Sequence, residues 1–343
     1  MVHSSTRFFL FLFFILQVFC LQANDGAFFA RGNQLIPIQE KDIKVTKEIL
    51  KLTMLEDGMI EVSVYYEFHN PGAAKKVLVG FEAMSPEGDV DGTPKKGQHP
   101  YIHDFTVDLN GKKLPYAVSM VEKDGYIRDG KIASLDMKKY KGEKGGNYVD
   151  FDYVYHFDAH FQSGKNKIKH TYRYDVSGSI DYEFNFEYVL TAANRWGNQQ
   201  IDDFTLILDM GNSTSFSMPK TFFDKASDWT ITGVGKAVDM PAQDGLNDKP
   251  YVEFQVREGE IQFKKKNFKP AGELFVYKQR IIQNQEGAGA VKPFNVPFTH
   301  SEGQNWWVSN NPPKEQINRL YDQRYARMGA IFGDPILQRF YPI

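Results

Sequence analysis

A period-two alternation rich in aromatic residues returns along most of this chain, and it restricts the fold more than any other feature. In MIEVSVYYEFHN (Met59–Asn70), Val62, Val64, Tyr66 and Phe68 alternate with Glu61, Ser63, Tyr65 and Glu67. Successive side chains of a strand point to opposite faces, so the first set predicts a buried face and the second an outward one. Asp57-Gly58 before this stretch and Asn70-Pro71-Gly72 after it are turn signals. VLVGFEA (Val77–Ala83) continues the pattern, and FTVDLNGKKLPYAV (Phe105–Val118) predicts a hairpin about Asn110-Gly111.

A second block of strands begins at Tyr148. In YVDFDYVYHF, Phe151, Tyr153, Tyr155 and Phe157 take the inward positions, and SIDYEFNFEYVL (Ser179–Leu190) alternates in the same way. DFTLIL (Asp203–Leu208), WTITGVG (Trp229–Gly235), YVEFQV (Tyr251–Val256) and ELFVYKQRI (Glu273–Ile281) follow, separated by turns. Short strands at regular intervals, with no β-α-β alternation, predict sandwiches rather than a doubly wound α/β enzyme. Aromatics make up 15% of the 343 residues, with 28 Phe and 18 Tyr, and 28 Gly and 16 Pro supply turns.

The expected class is mainly β, with two β-sandwich-like units (24–120 and 148–283) followed by a small helical C-terminal domain. Two Gly/Pro-rich polar stretches, 84–103 and 121–147, read as exposed loops, and NQEGAGAVKPFNVPF opens a linker over 284–311. Beyond Pro312-Pro313, Ile317, Leu320, Tyr321, Arg324, Tyr325 and Met328 recur at helical spacing.

The start of the chain predicts export. A basic Arg7 precedes the apolar run FFLFLFFILQVF (Phe8–Phe19), which is shorter than the roughly 20 residues needed to span a bilayer. Ala23 offers a cleavage site, so residues 1–23 read as a signal peptide and the mature chain as having no transmembrane span. Lipid attachment at Cys20 is the second reading; the bulky Phe19 beside it argues against that modification. Cys20 is the only cysteine, so the mature chain relies on core burial rather than disulfides. Together these traits suit a bacterial envelope protein, periplasmic or extracellular. A net charge of −2 supplies no field for nucleic acid.

Near the C-terminus, Tyr325, Ala326, Arg327 and Gly329, then Phe332, Leu337, Phe340 and Tyr341, carry a resemblance to the YARHG domain of bacterial exported proteins. It covers roughly the last 30 residues. Met328 stands where that family has histidine, and the chain ends at Ile343, so the copy reads as divergent and truncated. Upstream, Phe186–Leu208 and Asn24–Leu50 resemble exported β domains of unknown function. An arginine fork beside a tyrosine suits a carboxylate or phosphate ligand, whereas Met328 cannot transfer a proton. Tyr321, Tyr325 and Met328 also fit the buried face of a last helix, which the spacing favours.

The other motifs carry less. His99/His103 and His156/His160 have the spacing of helical zinc ligands, but their strand context sets such positions about 13 Å apart. Asp89-Val90-Asp91-Gly92 lacks the closing glutamate of a calcium loop. Ser177-Gly178-Ser179 is not a nucleophile elbow, and Gly142 to Gly146 lacks a phosphate-loop context. Trp306, Trp307 and Trp196 are candidates for stacking on sugars, against a role in covering a core.

The expectation is therefore a non-catalytic exported envelope protein that binds or supports a cell-surface component, such as cell-wall or surface glycan or another envelope protein. Ligand contacts are expected at Tyr325, Arg327, Trp306 and Trp307, with no catalytic residue, metal or cofactor assigned. The alternative is an envelope hydrolase or small-ligand enzyme at the junction of tail and β body, using Tyr325 and Arg327 with Asp322, Asp334 or His300 as acid or base.

Overall fold

The computed structural model describes residues 26–28, 32–33, 35–38 and 41–279, apart from 124, 180–181 and 243–248. Residues 1–25 and 280–343, with Trp306, Trp307, Tyr325 and Arg327, lie outside the described residues. What is described is mainly β, with no α-helix and two short 3-10 turns.

The long strands are β1 (Lys44–Met54), β2 (Met59–Asn70), β3 (Lys75–Ala83), β4 (Ile102–Leu109), β5 (Ala117–Glu122), β6 (Phe151–Phe161) and β7 (Gly164–Asp175). They continue as β8 (Tyr182–Val189), β9 (Ile201–Asp209), β10 (Thr214–Pro219), β11 (Trp229–Met240), β12 (Tyr251–Phe268) and β13 (Leu274–Gln279). The large sheet runs β8-β13-β10-β12-β9-β1-β2-β7-β4, with β11 added on β12. A smaller sheet runs β5-β6-β3 and ends on Ile36–Pro37.

The two sheets face each other through aromatic rings, which is where the alternation in the sequence leads. Phe81 of β3 lies 4.8 Å from Tyr172 and 5.5 Å from Phe105, both on the large sheet. Phe68 meets Phe161 at 5.5 Å, edge to face. Val62, Val64, Tyr66 and Phe68 are buried as their spacing predicts, and rings in offset or T-shaped contact add to their area burial. The Asn110-Gly111 turn forms with φ of 54° and 85°, the signature of a tight hairpin.

Pairing crosses the expected boundary between residues 120 and 148. β6 pairs with β3, and β7 pairs with β2, each antiparallel over nearly its whole length. Strands from both sequence blocks therefore build one sandwich, and the division into 24–120 and 148–283 is not the division of the sheets. Alternation reports which face of a strand is buried but not which strand pairs with it. The stretch 121–147 also departs from a simple exposed loop: half-buried Leu135, Met137 and Tyr140 pack against the core.

β12 joins the two ends of the large sheet. Its first half, Tyr251–Val256, pairs with β10, while Ile261–Phe268 pairs with β9 along the same edge. The switch falls at Gly259, whose φ is +97° and whose added Cβ would sit 1.8 Å from the Thr232 oxygen. Only glycine permits that approach.

Candidate functional site

The outer face of the small sheet mixes polar and apolar side chains. Directly opposed residues share a face, and the pairings set Ser119, Val154 and Glu82 in one row and Val121 beside Asp152 in the next. A cavity of about 420 Å³ opens over these rows, with Ala83, Tyr153 and Val189 also in its wall. Two further segments complete it.

One is the turn Thr191–Arg195, which ends on the arginine. Glu273 holds its start: the Leu190 and Thr191 amides donate to Glu273 Oε2 at 2.6 and 3.0 Å, and the Thr191 hydroxyl donates to Oε1. Such a carboxylate satisfies donors that a helical turn leaves open. The end of the turn is pinned by Trp196, whose indole N–H donates to the Leu35 carbonyl at 2.9 Å. Gly197 follows so closely on the chain at Lys41 that an added Cβ would lie 2.5 Å from its carbonyl oxygen.

The other segment carries Tyr126. The Ala133 amide donates to the Tyr126 carbonyl at 2.8 Å, and the Leu135 amide to the Met120 carbonyl at 2.8 Å. Ser134 Oγ donates to Ser119 Oγ at 2.7 Å, and Ser119 Oγ contacts His156 Nε2 at 3.0 Å. These bonds fix the segment across the sheet.

Charges in the cavity are answered unequally. Arg195 Nη1 donates to Glu82 Oε1 at 2.9 Å, and the Tyr126 hydroxyl donates to the same oxygen. Burial is the largest influence on Arg195 and opposes its charge, but the bond to Glu82, the Glu82 charge and Tyr126 together outweigh it and raise the guanidinium pKa. Burial, reinforced by Glu82, raises that of the Tyr126 phenol, so it stays protonated. Glu122 pairs with Arg128 at 2.8 Å. Asp152 differs: the Ser85 amide donates to Oδ1 at 2.8 Å, and it has no ion pair among the described residues. Burial raises its pKa above the usual carboxylate value.

The histidines take separate roles. His99 is buried; the Tyr101 amide donates to Nδ1 and Nε2 donates to the Met84 carbonyl, and burial depresses its pKa to about 3. His103 contacts Asp175 at 2.8 Å, and the exposed His160 stands apart from His156 along the strand. Among the described residues no cluster of His, Cys, Asp and Glu is arranged to hold a metal ion. The Asp91 carboxylate accepts the Thr93 amide at 2.9 Å, a local turn bond. Trp196 is buried against Phe68 at 4.5 Å and cannot stack on a sugar. Its place is the core, because the turn that carries it folds onto the sandwich end.

No family model matches the chain, and no curated protein matches it. Among solved structures it is similar to a Legionella pneumophila protein provisionally described as nutrient binding, at 15% identity and TM-score 0.49, covering 92% of this chain and 90% of that one. It is also similar to leukotriene A4 hydrolase of Saccharomyces cerevisiae bound to bestatin, at 11% identity and TM-score 0.33, over 84% of this chain and 33% of the hydrolase. An M1 zinc metallopeptidase of Deinococcus radiodurans aligns at 9% identity and TM-score 0.27, over 83% of this chain and 52% of that one. None of these likenesses transfers an activity.

Proposed function

We propose that the protein is an exported, non-catalytic binding protein of the bacterial envelope, and that the cavity between Glu82, Tyr126, Asp152 and Arg195 holds its ligand. One observation carries the reading: the cavity's polar groups sit on fixed elements and open onto a volume of about 420 Å³. Small-molecule sites have this form, an apolar wall of a few hundred Å³ with a few convergent polar groups. The apolar run Phe8–Phe19 behind Arg7 and the YARHG-like segment support the envelope assignment. Tyr325, Arg327, Trp306 and Trp307 remain the proposed contacts of the C-terminal segment with a surface component.

Co-sedimentation with isolated cell-wall sacculi tests the reading. The mature chain, Arg195→Ala, Arg327→Ala and a chain cut after Phe298 are compared. Loss of binding in Arg195→Ala assigns the contact to the cavity. Loss only in Arg327→Ala and the cut chain assigns it to the C-terminal segment. Equal sedimentation of all four would contradict both placements.

A further inference from the structure

We infer that the cavity receives a small protonated amine and that Asp152 is its anionic anchor, a deepening of the binding role proposed above. The inference comes from a pairwise accounting of charge. The carboxylate of Glu82 already faces Arg195 and the Tyr126 hydroxyl, and Glu122 already faces Arg128. Lys123 is exposed, with Nζ over the Tyr148 ring, 5.2 Å from its centroid. Asp152 is left with one backbone N–H from Ser85 and a second oxygen free of any bond among the described residues.

With Lys123 supplying only a longer-range positive charge, a half-buried carboxylate in that state has no ion-pair partner among the described residues. Its surroundings are shaped for a cation on a short apolar body. Val121 is its cross-strand partner, and Ala83 and Val154 line the same cavity. Tyr126 also lines the cavity, and an aromatic ring beside the site favours ammonium over a neutral group. A compact ammonium with several donors satisfies a free carboxylate oxygen, whereas a carboxylate ligand would meet Asp152 with like charge. Arg195 keeps N–H groups beyond the one given to Glu82, and these suit a second, oxygen-bearing part of the same ligand.

The experiment is calorimetric titration of the full mature chain with n-butylammonium, n-butanol and butyrate at pH 7.5. Butylammonium is expected to bind at least tenfold more tightly than either isostere. Asp152→Asn is expected to lose at least tenfold in amine affinity while unfolding within a few degrees of the parent. Lys123→Ala, which removes a competing positive charge, is expected to gain affinity a few fold. Butyrate binding best, and being lost in Arg195→Gln, would overturn the amine assignment and leave the cavity as a binding site. Binding of none of the three would overturn the amine assignment, and loss of sacculus binding in Arg195→Ala would then separately decide the cavity's wider role. N-acetylated sacculi identify the source of the amine: weaker sedimentation on them points to a surface-borne amine, unchanged sedimentation to a free one.

Discussion

The two ends of the turn Thr191–Arg195 treat a carboxylate in opposite ways. At its start, Glu273 accepts two amides and a hydroxyl, so its acceptors serve the fold. Beyond its end, in the cavity that Arg195 borders, Asp152 accepts one amide and faces open volume. A half-buried carboxylate saturated by donors is a structural part, and one left short of donors is available to a ligand. The comparison separates stability from binding within a few residues, and substitutions at the two ends should separate them too.

The largest effect should come from the pin between them. Trp196→Ala removes a fully packed indole and its bond to Leu35, and should cost about 3–5 kcal/mol in urea unfolding. Glu273→Ala leaves the Leu190 and Thr191 donors without an acceptor and should cost about 2–3 kcal/mol, with a detectable loss of amine binding because Arg195 is no longer held. Asp152→Asn should change stability by less than about 1 kcal/mol, since burial already disfavours its charge, while removing amine binding. A large destabilisation in Asp152→Asn with unchanged binding would erase the contrast.

Acid should act through two core histidines rather than through the cavity. Burial depresses the pKa of His99 to about 3 and that of His170 to about 4. His170 Nδ1 donates to the Thr106 carbonyl at 2.9 Å, while Nε2 is buried without a partner among the described residues. Both pKa values lie below the unfolded value near 6.5, so the unfolded chain binds more protons and stability falls as pH drops from 6.5 towards 3. Urea midpoints across that window should decline, and His170→Asn, which keeps a donor for Thr106, should flatten the decline. A slope unchanged by His170→Asn would remove His170 from the explanation.

Much of the sandwich was legible because apolar alternation is a local signal. Met59–Asn70 appears with the predicted face inward, and the Asn110-Gly111 turn forms where expected. β7 was harder to read, since its buried face carries Asn166 and His170 among Ile168, Tyr172 and Tyr174, which interrupts the apolar period. β10 is short, and its Ser and Thr residues interrupt the apolar period in the same way. Pairing between the two blocks is a matter of long-range register, which alternation does not encode.

The cavity was not legible at all. Glu82 and Arg195 lie 113 positions apart, and each reads locally as an ordinary outward residue. The one available signal was Asp152 within an aromatic strand, and outward acids on strands are too common to single it out. The residues that the sequence did single out, Tyr325, Arg327, Trp306 and Trp307, fall outside the described structure.

The most direct test is a carbon-13 NMR titration of the Asp152 carboxyl with and without saturating n-butylammonium. The account predicts a midpoint above the ordinary aspartate value in the free protein and a fall of a unit or more with the amine, because a bound cation favours the ionised form. A midpoint that does not move would contradict it.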